Sequence, residues 1–227
     1  MTDKAGFRLA PFISCFDFLR LDDALQELPK INSTELVFPI GDGKIAPFMS
    51  GIDIMRQISR HKELRCHALL MVEFPERHIE TFADAGCAVM IIPLETSRHH
   101  HRTLSAIRAA GMKAGLAVNP MTSLVGLEYL LEKTDSVCLF GVELGSSNNI
   151  YATSSLLERI KMLHENIRYR ELRTEIMVCG GLTFELAEKA KTTGASIIGV
   201  DSALVAEAGE CNVVAALKRC SDKLQAK

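Results

Sequence analysis

The chain has 227 residues, enough for one domain with a sizeable core and no dependence on disulfides or metals. Its 26 basic and 28 acidic residues are interleaved, with a net charge of −2 and no long basic tract, which argues against nucleic acid or an anionic membrane as partner. No apolar run approaches the roughly 18–20 residues of a membrane span, and Met1–Lys4 opens no apolar signal region, so a cytoplasmic protein is expected.

Apolar runs alternate with amphipathic segments throughout. The strand candidates are Arg8–Ile13, Glu35–Ile40, Cys66–Val72, Cys87–Ile92, Lys113–Val118, Ser136–Val142, Glu175–Cys179 and Ser196–Val200. Most are continuously apolar, as parallel strands buried on both faces must be. Helical patterns follow them, clearest at Glu76–Ala85, Ser97–Ala110, Ser154–Asn166, Phe184–Thr193 and Val213–Gln225. Pro75 suits a first helical turn, and Gly86, Gly111 and Gly194 suit left-handed helix ends. The alternation predicts a single (β/α)8 barrel over residues 1–227, with an open doubly wound sheet as the second choice. No glycine-rich nucleotide loop follows the first strand.

Seven cysteines (Cys15, Cys66, Cys87, Cys138, Cys179, Cys211 and Cys220) are scattered and odd in number, a pattern of reduced thiols. No CxxC pair suggests a zinc knuckle.

Two segments carry a specific resemblance. They are Leu70–Arg77 continuing to Phe82–Gly86, and Arg102–Leu104 continuing to Gly111–Thr122. With Ala10-Pro11, Asp17-Phe18, Asp42-Gly43, Pro47, Gly180-Gly181 and Ser202-Ala203, the chain resembles ribulose-phosphate 3-epimerases over nearly its whole length. The resemblance implies a barrel with its site at the C-terminal strand ends. It also implies a divalent metal held by two histidines and two aspartates, and two carboxylates that move protons on opposite faces of a pentulose phosphate.

Those positions are replaced here. The family's second strand reads His-x-Asp-x-Met-Asp-Gly; here Val37 stands for the histidine and Pro39 for the aspartate. Leu69 stands for the third-strand histidine, Cys179 for the seventh-strand aspartate, and Phe12 for a serine after the first strand. Val, Pro and Leu offer no lone pair, so no metal and no other cofactor is expected. Cys179 alone makes no site. The sixth-strand phosphate loop becomes Leu144–Asn148, and the eighth-strand Gly-Ser becomes Asp201-Ser202, which sets a carboxylate beside any phosphate. Weak or absent sugar-phosphate binding is expected.

Asp42, Glu73, Glu95, Asn119, Glu143 and Asp201 follow strand ends and would rim the mouth. With Ser14, Met71, Gly180, Gly181 and Ser202 they form the expected ligand pocket; equally, the polar ones could cap the following helices. Cys179 and Asp42 are the only catalytic candidates, and Cys179 reads more simply as a small apolar filler. His67 reads as a core histidine one layer deeper than the missing ligand. His99-His100-His101 reads as a polar helix start, since successive helical side chains diverge by about 100°. Lys44 is the expected cation near the rim.

Three functions fit this pattern. The first is a non-catalytic epimerase homologue that binds a small carbohydrate, regulates or assembles. The second is an isomerase or lyase with rewired, metal-independent chemistry on a different carbohydrate. The third is an ordinary epimerase. A homo-oligomer or a complex with an active paralogue is expected, through apolar stripes such as Leu127, Leu130 and Leu131.

Overall fold

The computed structural model describes residues 7–31, 33–47, 49, 51–144, 153–210 and 212–225. Eight parallel strands form one sheet: β1 (Arg8–Pro11), β2 (Glu35–Gly41), β3 (Arg65–Met71), β4 (Val89–Pro93), β5 (Lys113–Val118), β6 (Ser136–Phe140), β7 (Glu175–Cys179) and β8 (Ile197–Val200). Each lies beside its sequence neighbours, and β1 returns to β8. The remaining seam, between β1 and β2, is bridged by Phe12 and Val37, which brings the ring close to closure.

The helices are α1 (Leu21–Glu27), α2 (Ile52–Ile58), α3 (Ile79–Asp84), α4 (His100–Ala109), α5 (Thr153–Tyr169), α6 (Phe184–Thr193), α7 (Ser202–Ala208) and α8 (Val213–Gln225). Gly86, Gly111 and Gly194 all take positive φ, as expected at helix ends. The one-helix-per-strand expectation fails at β5, where the connection to β6 holds only the 3-10 turns Leu127–Tyr129 and Leu131–Lys133. Two helices follow β8 instead. The leucine stripe is also corrected: Leu127 and Leu131 are buried, and Leu130 packs on the core. The apolar groups exposed in this region are Met121, Val125, Tyr129 and Met162.

Strand side chains alternate between two apolar clusters, as the period of two requires. Leu36, Phe38, Leu70, Met90 and Ile92 face the helices. Phe12, Val37, Leu69, Met71, Ile91, Cys138, Phe140, Met177 and Cys179 fill the bore. Gly199 makes room there: a Cβ on it would stand 2.5 Å from the Cys179 Cβ and 3.1 Å from the Phe12 ring.

The N-terminal end of the bore is closed by charge. Glu35 is 1% exposed. Its Oε1 accepts from Arg8 Nη1 at 2.8 Å and lies 3.5 Å from Arg65 Nη1. Its Oε2 meets His67 Nε2, and Arg8 also pairs with Glu175. His67 is therefore the buried core histidine expected, and its Nδ1 has no partner among the described residues.

Candidate functional site

The C-terminal strand ends carry the rim residues, and four of the six are committed to backbone. After β2, Asp42 accepts from the N–H of Lys44 (2.8 Å) and Ile45 (3.0 Å) with one oxygen, and from the Glu73 N–H (2.8 Å) with the other. Desolvation pushes this carboxyl up, but the three bonds outweigh it and hold its pKa below the ordinary value of 3.8. Glu95 accepts from the Asn119 N–H at 3.0 Å and from the Thr122 hydroxyl. The Asn119 side-chain oxygen accepts from the Leu144 N–H at 2.8 Å.

Asp201 bridges two loops. One oxygen caps α7, accepting from the N–H groups of Ala203 and Leu204 at 3.1 Å each. The other accepts from the Gly181 N–H, in the β7 loop, at 3.0 Å. Replacing a capping carboxylate by alanine costs about 0.5–2 kcal/mol. With its added tie to Gly181, Asp201→Ala is expected at the upper end of that range in urea unfolding, and Asp201→Asn nearer neutral.

Glu73 pairs with exposed Lys44, which is the rim cation expected; the pairing raises the lysine's pKa above 10.5, through the hydrogen bond first and the charge second. Glu143, Ser14 and Ser202 are exposed, and Gly180 is buried beside half-buried Gly181. Met71 is 3% exposed and belongs to the bore rather than to an open pocket. Gly145–Asn148, the altered sixth-strand loop, lies outside the described residues. A cavity of about 660 Å³ lies to one side, lined by Cys15, Asp17, Arg20, Asn212 and Lys218 among others, so of the expected rim residues it uses none.

Cys179 fits neither nucleophile nor proton shuttle. Its thiol is buried, and its Sγ contacts Cys138 Sγ at 3.3 Å. Burial first, then the Cys138 contact and the charges of Cys138 and Asp201, push its pKa well above 9.0, so the reactive thiolate is disfavoured. Cys15 nearby is pushed up to about 12, mainly by burial and then by Asp201. Of the two readings of Cys179, the small apolar filler is the one its place in the bore favours. Asp42 is likewise a loop tie, not a free base.

Sequence reasoning missed Arg159. From α5 it donates to the carbonyls of Asn119 (3.0 Å), Pro120 (3.0 Å) and Thr122 (2.7 Å), pinning the β5 loop. Burial lowers its pKa, with Glu95 opposing. A lone arginine in an amphipathic helix gave no signal of this long-range role.

A divalent metal does not fit the bore. Val37, Leu69, Cys179 and Phe12 share one apolar cluster, and Val37 and Leu69 supply no donor. Among the described residues, no three His, Cys, Asp or Glu side chains are placed to hold an ion.

Parallel strands in a ring, helices outside and polar loops at the strand C-termini define a (β/α)8 barrel. A tryptophan synthase subunit from Pyrococcus furiosus shares that fold, with a TM-score of 0.67 over 98% of each chain at 16% identity. Within this class, the chain belongs to the ribulose-phosphate 3 epimerase family, whose model matches residues 8–205. Curated relatives named ribulose-phosphate 3-epimerase include that of Aquifex aeolicus, 30% identical over 86% of this chain and 88% of its own length. That of Synechocystis is 31% identical over 86% of each chain. That of Bacillus subtilis is 26% identical over 93% of this chain and 98% of its own length. Among the described residues, no helix is long and apolar enough to cross a membrane.

Proposed function

We propose that this chain is a non-catalytic member of the epimerase family, a cytoplasmic homologue in carbohydrate metabolism that binds a small carbohydrate, regulates or assembles. The observation that carries the reading is the chemistry of the bore. The strand positions matching the family's metal ligands and proton carriers, Val37, Leu69 and Cys179, meet in one apolar cluster with Phe12 across the mouth end. Pro39 stands in register with Leu69.

A second observation supports it. The N–H groups of Gly181, Ala203 and Leu204 that a phosphate would seek already serve Asp201. A phosphate dianion there would displace, or stand against, a carboxylate. A phosphorylated ligand is accordingly disfavoured at this pair of loops, and the role lies in binding a small carbohydrate by other groups, in self-association or in pairing with an active paralogue.

The direct test is turnover of ribulose 5-phosphate with zinc, manganese or ferrous iron added, beside the Aquifex relative. Each general acid or base is worth about 10²–10⁴ in rate. Losing both puts the expected rate at least about 10⁴-fold below that relative, and a rate within tenfold of it would sink the proposal.

A further inference from the structure

The β5–β6 connection holds no α-helix, so the flank of α5 that such a helix would cover meets two short turns instead. The seam between them is apolar. Val125 and Met162 line a cavity of about 180 Å³ there, together with Leu124, Leu127, Leu131 and Leu163. Arg159, one turn before Met162, donates to the carbonyls of Pro120 and Thr122, which sets Met121 beside the same seam. Met121, Val125, Tyr129 and Met162, with Tyr169 two turns further along α5, are each 59–89% exposed. A monomer rarely leaves a continuous apolar patch larger than about 300–600 Å² in water. Aromatic side chains alone carry roughly 150–250 Å² each, so these five residues reach the top of that range. A standard interface takes about 800 Å² from each partner, which the patch and its charged border approach.

The charged border says what covers the patch. Along α5 stand Glu158, Lys161, Glu165 and Arg168, all exposed. Charges of alternating sign at this spacing ordinarily pair along their own helix. Here none of the four has an ion-pair partner among the described residues. Their order is antisymmetric about Leu163: Lys161 and Glu165 lie two residues either side of it, and Glu158 and Arg168 five either side. At about 100° per residue, all four fall on the face opposite buried Leu163. A second α5 laid antiparallel across this one, with the two-fold axis level with Leu163, therefore sets Lys161 against Glu165 of the copy and Glu158 against its Arg168. Symmetry repeats each contact, as an isologous interface requires, and brings the two apolar seams together on one side of the helix pair. A protein of different sequence would have to match this order by coincidence, whereas an identical copy matches it by construction.

We propose that the chain forms a two-fold homodimer through α5 and the β5–β6 turns, with Met121, Val125, Tyr129 and Met162 covered between the copies. The inference deepens the self-association part of the proposed function and uses no residue of the bore. Loss of the dimer would leave the non-catalytic reading standing, and epimerase turnover would leave the dimer standing.

The test is sedimentation velocity of the full chain from about 1 to 100 μM, where a dimer is expected. Met162→Glu should leave a monomer with an unchanged far-ultraviolet circular dichroism spectrum, because the side chain is exposed. Lys161→Glu and Glu165→Lys, made singly, set like charges against each other twice per dimer and should weaken association about tenfold or more. Made together, they restore opposite signs and should return the Kd to within about threefold of wild type. That rescue is what a copy of the same chain gives and a partner of different sequence does not. A chain that stays monomeric at about 100 μM, a dimer indifferent to Met162→Glu, or single reversals that the pair does not rescue would overturn the proposal. So would a monomer that associates only with an active epimerase.

Discussion

Glu35→Ala is expected to destabilise the barrel by about 3 kcal/mol or more, because removing one partner of a buried ion cluster strands the others. The carboxylate sits at the base of the bore between Arg8, Arg65 and His67, and water does not reach it. Removing it leaves Arg8 with Glu175 alone and leaves His67 with neither ring nitrogen bonded. For a chain of this size, each kcal/mol shifts the melting temperature by roughly 2–4 °C. Calorimetry should therefore show a loss of roughly 6–12 °C. The pH dependence follows from the same cluster. Burial raises the Glu35 pKa, but the His67 bond and the charges of His67, Arg65 and Arg8 outweigh it, leaving it below 4.5. A group whose folded pKa is depressed stabilises above its unfolded value and loses that contribution as pH falls through the folded one. The gap between wild type and Glu35→Gln should thus be full near neutrality and close below about pH 4.5. A gap constant with pH would show that the carboxylate charge is not what stabilises the base.

The second large effect is a gain. Installing Phe12→Ser, Val37→His, Pro39→Asp, Leu69→His and Cys179→Asp together should give a chain that retains about one zinc or manganese ion after dialysis, and wild type should retain none. The geometric basis is the register: Val37 bridges Phe12, Pro39 pairs with Leu69, and Phe12 and Cys179 approach over Gly199. Without metal, the variant places five polar groups in or beside the bore and should melt well below wild type; with metal, much of that loss returns, because an ion that binds only the folded state stabilises it. The double variant Val37→His/Leu69→His, with cobalt absorption as readout, covers the case in which five changes prevent folding. A folded variant that takes up no ion, alone or doubled, would show that these positions do not converge.

The strands were the most legible part of the sequence, since burial on both faces forces unbroken apolar runs such as Val89–Pro93. The β5–β6 connection was the least legible. Leu127, Leu130 and Leu131 have helical spacing, yet the chain there spends them in two short 3-10 turns that bury Leu127 and Leu131. The rim residues were legible as positions but not as roles. Asp42, Glu95, Asn119 and Asp201 lie where a ligand pocket would need polar groups, and backbone N–H groups of neighbouring loops claim them. Such pairings join residues 20 or more apart in sequence, beyond any local pattern. The ion cluster had a faint signal that went unused: Arg8, Glu35 and Glu175 each open a strand, where an apolar run should begin.

The closed base has a consequence for how this lineage can change. Arg8, Glu35 and His67 tie the strands at one end and Asp201 ties loop to loop at the other, through contacts that use none of the apolar cluster in the bore. On the proposed non-catalytic reading, an ancestor could shed an ion and its proton carriers one by one, each vacancy filled by hydrocarbon or sulfur, while both ends still held the barrel together.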